Sequence, residues 1–137
     1  LLTLMTTAAV TGLCSPLTHA DEVVMIVNND NAFPIDREFV VRVYTGTIKG
    51  WPDGSPVFAL DQPDDSEARQ LFCTTILRKS VANVRAIWSQ NIFTGKAFPP
   101  RVTTADSEMK RIVANNRNAI GYIRASQVDS TVRVVVR

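Results

Sequence analysis

The segment Thr94-Gly95-Lys96, followed by Arg101 beyond two prolines, is the part of this 137-residue chain best suited to contact an anion. Glycine lets a ligand approach the backbone closely, and the lysine and arginine side chains supply positive charge. Because glycine and the Pro99-Pro100 pair do not continue a helix, the pattern predicts a loop here. The same two cations could also be solvated loop charges, and the sequence leaves that alternative open.

Three carboxylates, Asp61, Asp64 and Asp65, follow a predicted strand and form a candidate calcium or magnesium site. The segment lacks the alternating acidic pattern with a central glycine that marks an EF-hand loop. A strand-end acid followed by residues that cap a helix explains the same carboxylates, and we favour that interpretation. We therefore predict neither a metal site nor a cofactor.

The single histidine, His19, lies within the first twenty residues, so the rest of the chain has none. In that part a Ser-His-Asp triad built on Ser55 or Ser66 is excluded, and so are zinc sites of the usual His/Cys type. A Ser-Lys arrangement stays open, although no spacing indicates one. Nothing pairs the remaining Asp, Glu, Lys and Tyr residues as acid and base, and we predict no enzymatic activity.

Leu1–Leu13 is an apolar run, and the small-residue end Thr18-His19-Ala20 follows it after a short polar stretch. This arrangement is typical of a secretion signal and is too short to span a bilayer. We predict a signal peptide over residues 1–20, truncated because the chain begins with Leu, and cleavage after Ala20. Residues 21–137 would then be one domain, periplasmic or secreted, with no membrane insertion after cleavage.

Composition limits both partners and cross-links. The formal net charge is only +2 and the basic residues are spread along the chain, whereas nucleic-acid-binding proteins carry a basic stripe with aromatic residues placed for stacking. Nucleic acid is therefore not a predicted partner. Cys73 is the only cysteine after residue 20, so that part has no internal disulfide, and its apolar neighbours predict burial.

Apolar runs bounded by turn residues predict the strands that must position these groups. The runs are Glu22–Val27, Val57–Asp61, Asn118–Ile123 and Thr131–Val136. Helical periodicity predicts four helices. The first is Asp36–Tyr44, ended by Gly46, and the second has a buried stripe of Ala68, Leu71, Phe72, Thr75 and Ile76. The third is capped by Ser80 and turns Val81, Val84, Trp88 and Ile92 inward, and the fourth is Asp106–Asn116 with Met109, Ile112 and Val113 buried. Strands alternating with helices predict one α/β domain with a mostly parallel sheet of about four strands flanked by helices.

Asn28 and Asn29 follow the first predicted strand. Open α/β sheets bind ligands at the carboxyl ends of their strands, which makes both asparagines candidate contacts. Asparagine is also a common turn former, so a purely structural role is the alternative. Trp51 precedes a Pro-Asp-Gly turn and is either a partly exposed contact or packed beneath the loop, whereas Trp88 lies on a predicted core stripe.

Several motifs occur in the order found in one known family. They are Val24–Asn31, Tyr44-Thr45-Gly46 with Trp51-Pro52-Asp53-Gly54, Trp88–Pro100 (WSQNIFTGKAFPP) and Asn118–Tyr122. On these motifs, nearly all of residues 21–137 resembles the phosphate ABC transporter substrate-binding-like family of the type II periplasmic binding protein superfamily. The resemblance implies an exported α/β protein that corresponds to one lobe of a two-lobed phosphate receptor.

The resemblance also implies where phosphate would bind in full-length relatives. There a strand resembling Val57–Asp61 is followed by an Arg and a Ser-Gly-Thr turn at a helix N-terminus. In this chain Asp61 stands about where that Arg would be, and only Ser66 could supply a matching hydroxyl. Asp64, Asp65 and Glu67 add negative charge at the helix start, with no evident cation beside them.

Two functions follow from the residues and the resemblance. The first is a periplasmic solute-binding-like protein that binds phosphate or another small anion, contacted by Asn28, Asn29, Ser66, Thr94, Gly95, Lys96 and Arg101. The second is a non-catalytic accessory or protein-interaction module that kept the fold and lost the phosphate pocket. An ABC permease, a sensor protein or a second copy of the chain would be the protein partner.

Overall fold

The computed structural model describes Gly12 and residues 22–137, so the predicted signal peptide at 1–20 lies, except for Gly12, outside the described residues. The strands are β1 (Val23–Asn28), β2 (Phe58–Asp61), β3 (Arg101–Val102), β4 (Ala119–Arg124) and β5 (Val132–Val136), and the α-helices are α1 (Arg37–Tyr44), α2 (Glu67–Leu71), α3 (Val81–Phe93) and α4 (Asp106–Asn115). Across this part of the chain, no helix combines the length and apolar character needed to cross a membrane.

One five-stranded sheet in the order β3-β2-β4-β1-β5 organises the fold. β2 runs parallel to β3 and β4, whereas β1 is antiparallel to both β4 and β5, so four of the five strands point the same way. This confirms the predicted single α/β domain. The strand that the sequence did not predict is the short β3. It begins at Arg101, where the predicted proline-containing loop ends.

A separate hydrophobic core lies on each face of the sheet. Alternate residues of β1 enter opposite cores, with Met25 packing among residues of α1 and α3 and Ile26 packing against α4. All six residues of β1 are therefore buried. A strand covered on both faces has no solvent side, which explains its unbroken apolar sequence.

The predicted helix ends are largely confirmed. The Asp36 carboxylate accepts a hydrogen bond from the Phe39 backbone N–H at 2.8 Å, and the Ser80 hydroxyl oxygen accepts one from Asn83 N–H at 3.0 Å. Gly46 follows α1 with φ +79°, a conformation that side chains other than glycine adopt at a cost. The Asp36 and Ser80 caps satisfy N–H groups that have no partner within their own helix.

Three predicted helix faces are wrong in detail. The helix through Ala68 is α-helical only to Leu71 and continues as a π-helix over Phe72–Leu77, which buries Leu77 and leaves Thr75 exposed. In α3 the buried face runs through Val84, Trp88 and Asn91, and Ile92 is 52% exposed. Asn91 takes the inward position because its side-chain amide donates to the Thr45 carbonyl at 2.9 Å. On α4, Met109 and Val113 are buried as predicted, whereas Ile112 is half-buried.

Both tryptophans belong to the core. Trp51 is 3% exposed, stacks between Phe33 and Phe39 at centroid distances of 5.9 and 5.4 Å, and donates its indole N–H to the Asn118 carbonyl at 3.1 Å. This resolves the open alternative for Trp51 in favour of packing. Trp88 is buried as predicted, and its indole N–H donates to the Tyr44 carbonyl at 3.0 Å.

Cys73 is fully buried, as predicted, and we expect its thiol to be inert in the folded protein. Burial raises its pKa to about 11, so only about one thiol in a thousand would be ionised at pH 8. In a Cys14→Ser background, labelling with a disulfide reagent at pH 8 should proceed at the rate of unfolding. Stoichiometric labelling within seconds in native buffer would contradict this expectation, and labelling in 6 M guanidinium is the control.

Candidate functional site

Two neighbouring concavities lie on either side of the Pro99-Pro100 segment. The first, here called the cationic groove, has a volume of about 430 Å³ and is lined by Val43, Gly46, Ile48, Lys49, Val57, Phe58, Ala59, Trp88, Gly95, Lys96, Ala97, Phe98, Pro99, Pro100 and Arg101. The second, here called the carboxyl-end pocket, has a volume of about 320 Å³ and is lined by Asp61, Gln62, Pro63, Asp64, Arg69, Arg85, Trp88, Pro99, Pro100 and Val102. Trp88 and both prolines are shared by the two.

A close approach between α1 and α3 forms one wall of the cationic groove. A Cβ atom at Gly46 would lie 2.6 Å from Asn91 Nδ2 and 3.2 Å from both Ala97 Cβ and Trp88 Cη2. Only glycine combines that approach with the positive φ found there. The Asn91 and Trp88 hydrogen bonds to backbone carbonyls at the end of α1 hold the two helices together.

Three cations from separate segments line this groove. They are Lys49 from the connection between α1 and β2, Lys96 from the loop after α3, and Arg101 at the start of β3. The Lys49 ammonium donates a hydrogen bond to the Lys96 carbonyl, which joins the two loops. No carboxylate lines the groove, and no ion pair within residues 22–137 involves any of the three. Within the described part of the chain, the positive charge of the groove is therefore uncompensated.

Of the seven residues predicted to contact a ligand, the structure brings Gly95, Lys96 and Arg101 together in this groove. Thr94 adjoins them but does not line the groove, since its hydroxyl donates to the Gln90 carbonyl at 2.9 Å and helps to end α3. Gly95 has φ +68°, and the Lys96 N–H bonds to the Asn91 carbonyl at 2.9 Å. The loop is thus shaped by the helix terminus that precedes it.

Asn28 and Asn29 lie at the end of the sheet opposite to the carboxyl ends of β2 and β4. Because β1 is antiparallel to β4, its carboxyl end lies beside the amino ends of β2 and β4. The Asn28 amide donates to the carbonyls of Val113 and Ala114 at 2.9 Å each, and the Asn29 amide donates to the Ser130 carbonyl at 2.8 Å. Both side chains therefore hold loops and a helix end, away from the groove.

Ser66 lies near the carboxyl ends of β2 and β4 but outside both concavities. Its hydroxyl oxygen accepts the Arg69 backbone N–H at 3.1 Å, which makes Ser66 the N-cap of α2. The structure therefore separates the seven predicted residues into three places. Ligand binding by any of them stays a prediction.

Arg69 lines the carboxyl-end pocket and contacts its acidic residues. The expectation that no cation lies beside these acidic residues is therefore wrong. The Arg69 guanidinium forms an ion pair with Asp61, and both side chains are almost fully buried. Arg69 Nε also donates to Asp64 at 2.8 Å, and Arg85 holds the other oxygen of that carboxylate at 2.7–2.9 Å. Two arginines and two carboxylates thus neutralise one another.

Hydrogen bonds extend this ion pair into the core. The Tyr122 hydroxyl donates to Asp61 and accepts the Gln62 backbone N–H at 3.1 Å, and the Gln62 amide donates to Asp106 at 2.7 Å. Burial raises the pKa of Tyr122 well above its usual value, and the charge of Asp61 raises it further. Burial alone would lower the pKa of Arg69, but the Asp61 carboxylate raises it above its usual value. Arg69 and Tyr122 therefore stay protonated at any ordinary pH.

Sequence reasoning missed Arg69, although a signal was present. Arg69, Cys73 and Ile76 are spaced four and three residues apart, which places Arg69 on the same buried stripe. An arginine on an apolar stripe indicates a buried partner, and Asp61 was the nearest acidic strand end. Asp61 and Asp64 therefore bind a guanidinium, and the described residues hold no group of three or more His, Cys, Asp and Glu side chains suited to a metal ion.

Comparison with known proteins identifies the fold. No family model and no curated protein matches the chain. An ABC-type phosphate transport receptor from Vibrio cholerae is similar with a TM-score of 0.64 and 20% identity, over 83% of this chain and 45% of the receptor. A putative phosphate ABC transporter substrate-binding protein from Clostridium perfringens was solved with bound phosphate. It gives a TM-score of 0.65 and 22% identity, over 83% of this chain and 44% of that protein. PstS from Borrelia burgdorferi gives a TM-score of 0.62 and 12% identity, over 84% of this chain and 46% of PstS.

These similarities define the class of fold: one α/β unit of the kind found in phosphate-binding receptors of ABC transporters. The resemblance inferred from the sequence motifs is confirmed at the level of the fold. The chain spans less than half the length of the solved structures that it matches.

Proposed function

We propose that the chain is a non-enzymatic binding module for phosphate or another small anion, with Gly95, Lys96 and Arg101 as contacts. The observation that carries the proposal is the uncompensated charge of Lys49, Lys96 and Arg101 around one groove. Positive charge at a concave surface with apolar walls attracts anions and strengthens their contacts. The fold shared with a phosphate-bound structure supports the same ligand class.

The carboxyl-end pocket is the weaker candidate for this anion. Asp61 and Asp64 hold the buried guanidinium of Arg69, so a phosphate would have to displace a carboxylate to bind it. Arg85 is exposed but already paired with Asp64, and the charge of that carboxylate opposes an anion. Breaking the buried Asp61–Arg69 pair is costly because it leaves an unpaired charge away from water. Binding in the groove requires no such displacement.

A thermal-shift titration with phosphate tests the proposal. Phosphate at about 100 times its Kd should add about 2.7 kcal/mol to the free energy of unfolding, which is about 10 °C in Tm. The double substitution Lys96→Ala, Arg101→Ala should abolish the shift without lowering the starting Tm, since both side chains are exposed. The Arg111→Ala, Arg137→Ala variant removes the same charge elsewhere and should keep the shift. An equal response in all three proteins would contradict the assignment.

Export to the periplasm and cooperation with an ABC permease are part of the same proposal. They are supported by the signal-like pattern of residues 1–20 and by the names of the similar structures, which specify ABC-type phosphate transport. Expression of the chain with residues 1–20 in place, followed by fractionation of the cells, tests the export step. Protein confined to the cytoplasm would contradict it.

The second candidate function is an accessory or protein-interaction module. Large apolar side chains exposed between Ile92 and Val102 favour it, above all Phe93 at 90% and Phe98 at 87% exposure. Clustered apolar surface of this kind marks interaction sites in soluble proteins. Sedimentation of the purified chain distinguishes the two: concentration-dependent dimerisation that Phe93→Ser abolishes, together with no phosphate response, would favour the interaction module.

A further inference from the structure

We propose that the cationic groove selects an organic anion, in which a phosphate or carboxylate head is joined to an apolar body, over a bare inorganic ion. This inference rests on the proposed function, because it names the class of anion that the same groove would take. It follows from three features of the groove: its size, its apolar walls and the position of its charges.

The size of the groove exceeds what an inorganic anion needs. Its volume of about 430 Å³ falls within the range of about 300–1,000 Å³ that is typical of small-molecule sites. An ion the size of phosphate would leave most of that space to water. A ligand with a ring or a short alkyl chain would fill it.

The walls of the groove are mainly apolar. Val57, Ala59 and Ile48 form part of the surface, the edge of Trp88 contributes to it, and Phe98 stands at the rim with most of its ring in water. Contact between two apolar surfaces lowers the free energy because both leave water, whereas contact with a hydrated ion gives no such stabilisation. The walls therefore stabilise the apolar body of a bound ligand rather than its charged head.

The charges lie on exposed side chains around these walls. Lys49, Lys96 and Arg101 are all exposed, and the hydrogen bond from the Lys49 ammonium to the Lys96 carbonyl holds two of the three segments together. A charged head at this level keeps contact with the cations and with water while the body enters the groove. No carboxylate among the lining residues offers a partner for a cationic ligand.

Titration calorimetry of the full chain with phenyl phosphate, inorganic phosphate and phenol tests this inference. We expect phenyl phosphate to bind at least tenfold more tightly than inorganic phosphate and phenol to bind weakest. Lys96→Ala, Arg101→Ala should weaken phenyl phosphate at least tenfold. Phe98→Ser should weaken the binding of phenyl phosphate about three- to tenfold and that of inorganic phosphate by a smaller factor.

Phe93→Ser is the matched control, because Phe93 is equally exposed on the same segment but does not line the groove. It should leave the Kd of phenyl phosphate unchanged. Equal affinity for phenyl phosphate and inorganic phosphate, or equal effects of Phe98→Ser and Phe93→Ser, would overturn the inference while leaving the proposed function intact. Failure of every anion to bind would overturn both. Binding of phenyl phosphate without inorganic phosphate would support the inference and restrict the proposed function to organic anions.

Discussion

Replacing Arg69 with alanine should lower the free energy of unfolding by about 3–5 kcal/mol, the range found when one partner of a buried ion pair is removed. The loss arises because Asp61 would remain buried without its guanidinium, although Tyr122 and the Gln62 N–H still donate hydrogen bonds to it. A typical domain is stable by only about 5–15 kcal/mol, so the variant would be close to its unfolding threshold. Urea denaturation at 15 °C, followed by circular dichroism, measures the change.

Arg85→Ala is the matched control for this prediction. Arg85 pairs with Asp64, but both side chains are largely exposed, so the expected loss is at most about 1 kcal/mol. The double variant Asp61→Asn, Arg69→Met removes both buried charges, and the new amide oxygen can still accept from Tyr122. Its loss of stability should be smaller than the sum of the losses caused by Asp61→Asn alone and Arg69→Met alone. Equal losses for Arg69→Ala and Arg85→Ala would show that the buried pair does not stabilise the fold.

The Gly46→Ala substitution is expected to cost about 3 kcal/mol. Alanine at φ +79° is strained by about 1–2 kcal/mol, and its Cβ would press on the amide of Asn91 at 2.6 Å, which adds an overpacking cost of about 1–3 kcal/mol. Since Gly46 also lines the cationic groove, the displacement of Asn91 and Trp88 should weaken anion binding as well. Thermal unfolding and a phosphate titration measure the two effects.

Gly54→Ala separates backbone strain from crowding. Gly54 has a similar φ of +85°, but no atom lies within 4 Å of the position that a Cβ would take. Its replacement should therefore cost only the strain, about 1–2 kcal/mol, and leave ligand binding unchanged. If both alanine variants lose the same stability, the close contact between α1 and α3 is not a constraint on the groove.

Local patterns were sufficient for most of the secondary structure. The unbroken apolar sequence of β1 reflects burial on both faces, and Asp36 and Ser80 cap the helices that they were expected to cap. The loop that carries Gly95 and Lys96 was also predicted, because glycine and two prolines end a helix irrespective of the rest of the fold. Each of these features depends on neighbours within a few residues.

Features that depend on distant partners could not be predicted in the same way. The alternation of apolar residues carries no information about strand direction, so the antiparallel placement of β1, which moves Asn28 and Asn29 to the other end of the sheet, was not foreseen. The groove was likewise hidden, because Lys49 and Lys96 are far apart in sequence and meet only through the fold. Burial of Asn91 in place of Ile92 arises from one hydrogen bond to Thr45, the residue that follows α1.

The most direct test of the central claim is an amide chemical-shift titration of the 15N-labelled chain with phosphate. We predict that the largest changes fall on Gly95, Lys96 and Arg101, with smaller ones on Lys49 across the groove. Changes centred instead on Gln62 and Arg69 would place the anion in the carboxyl-end pocket. The absence of any change at 50 mM phosphate would contradict phosphate binding by this chain.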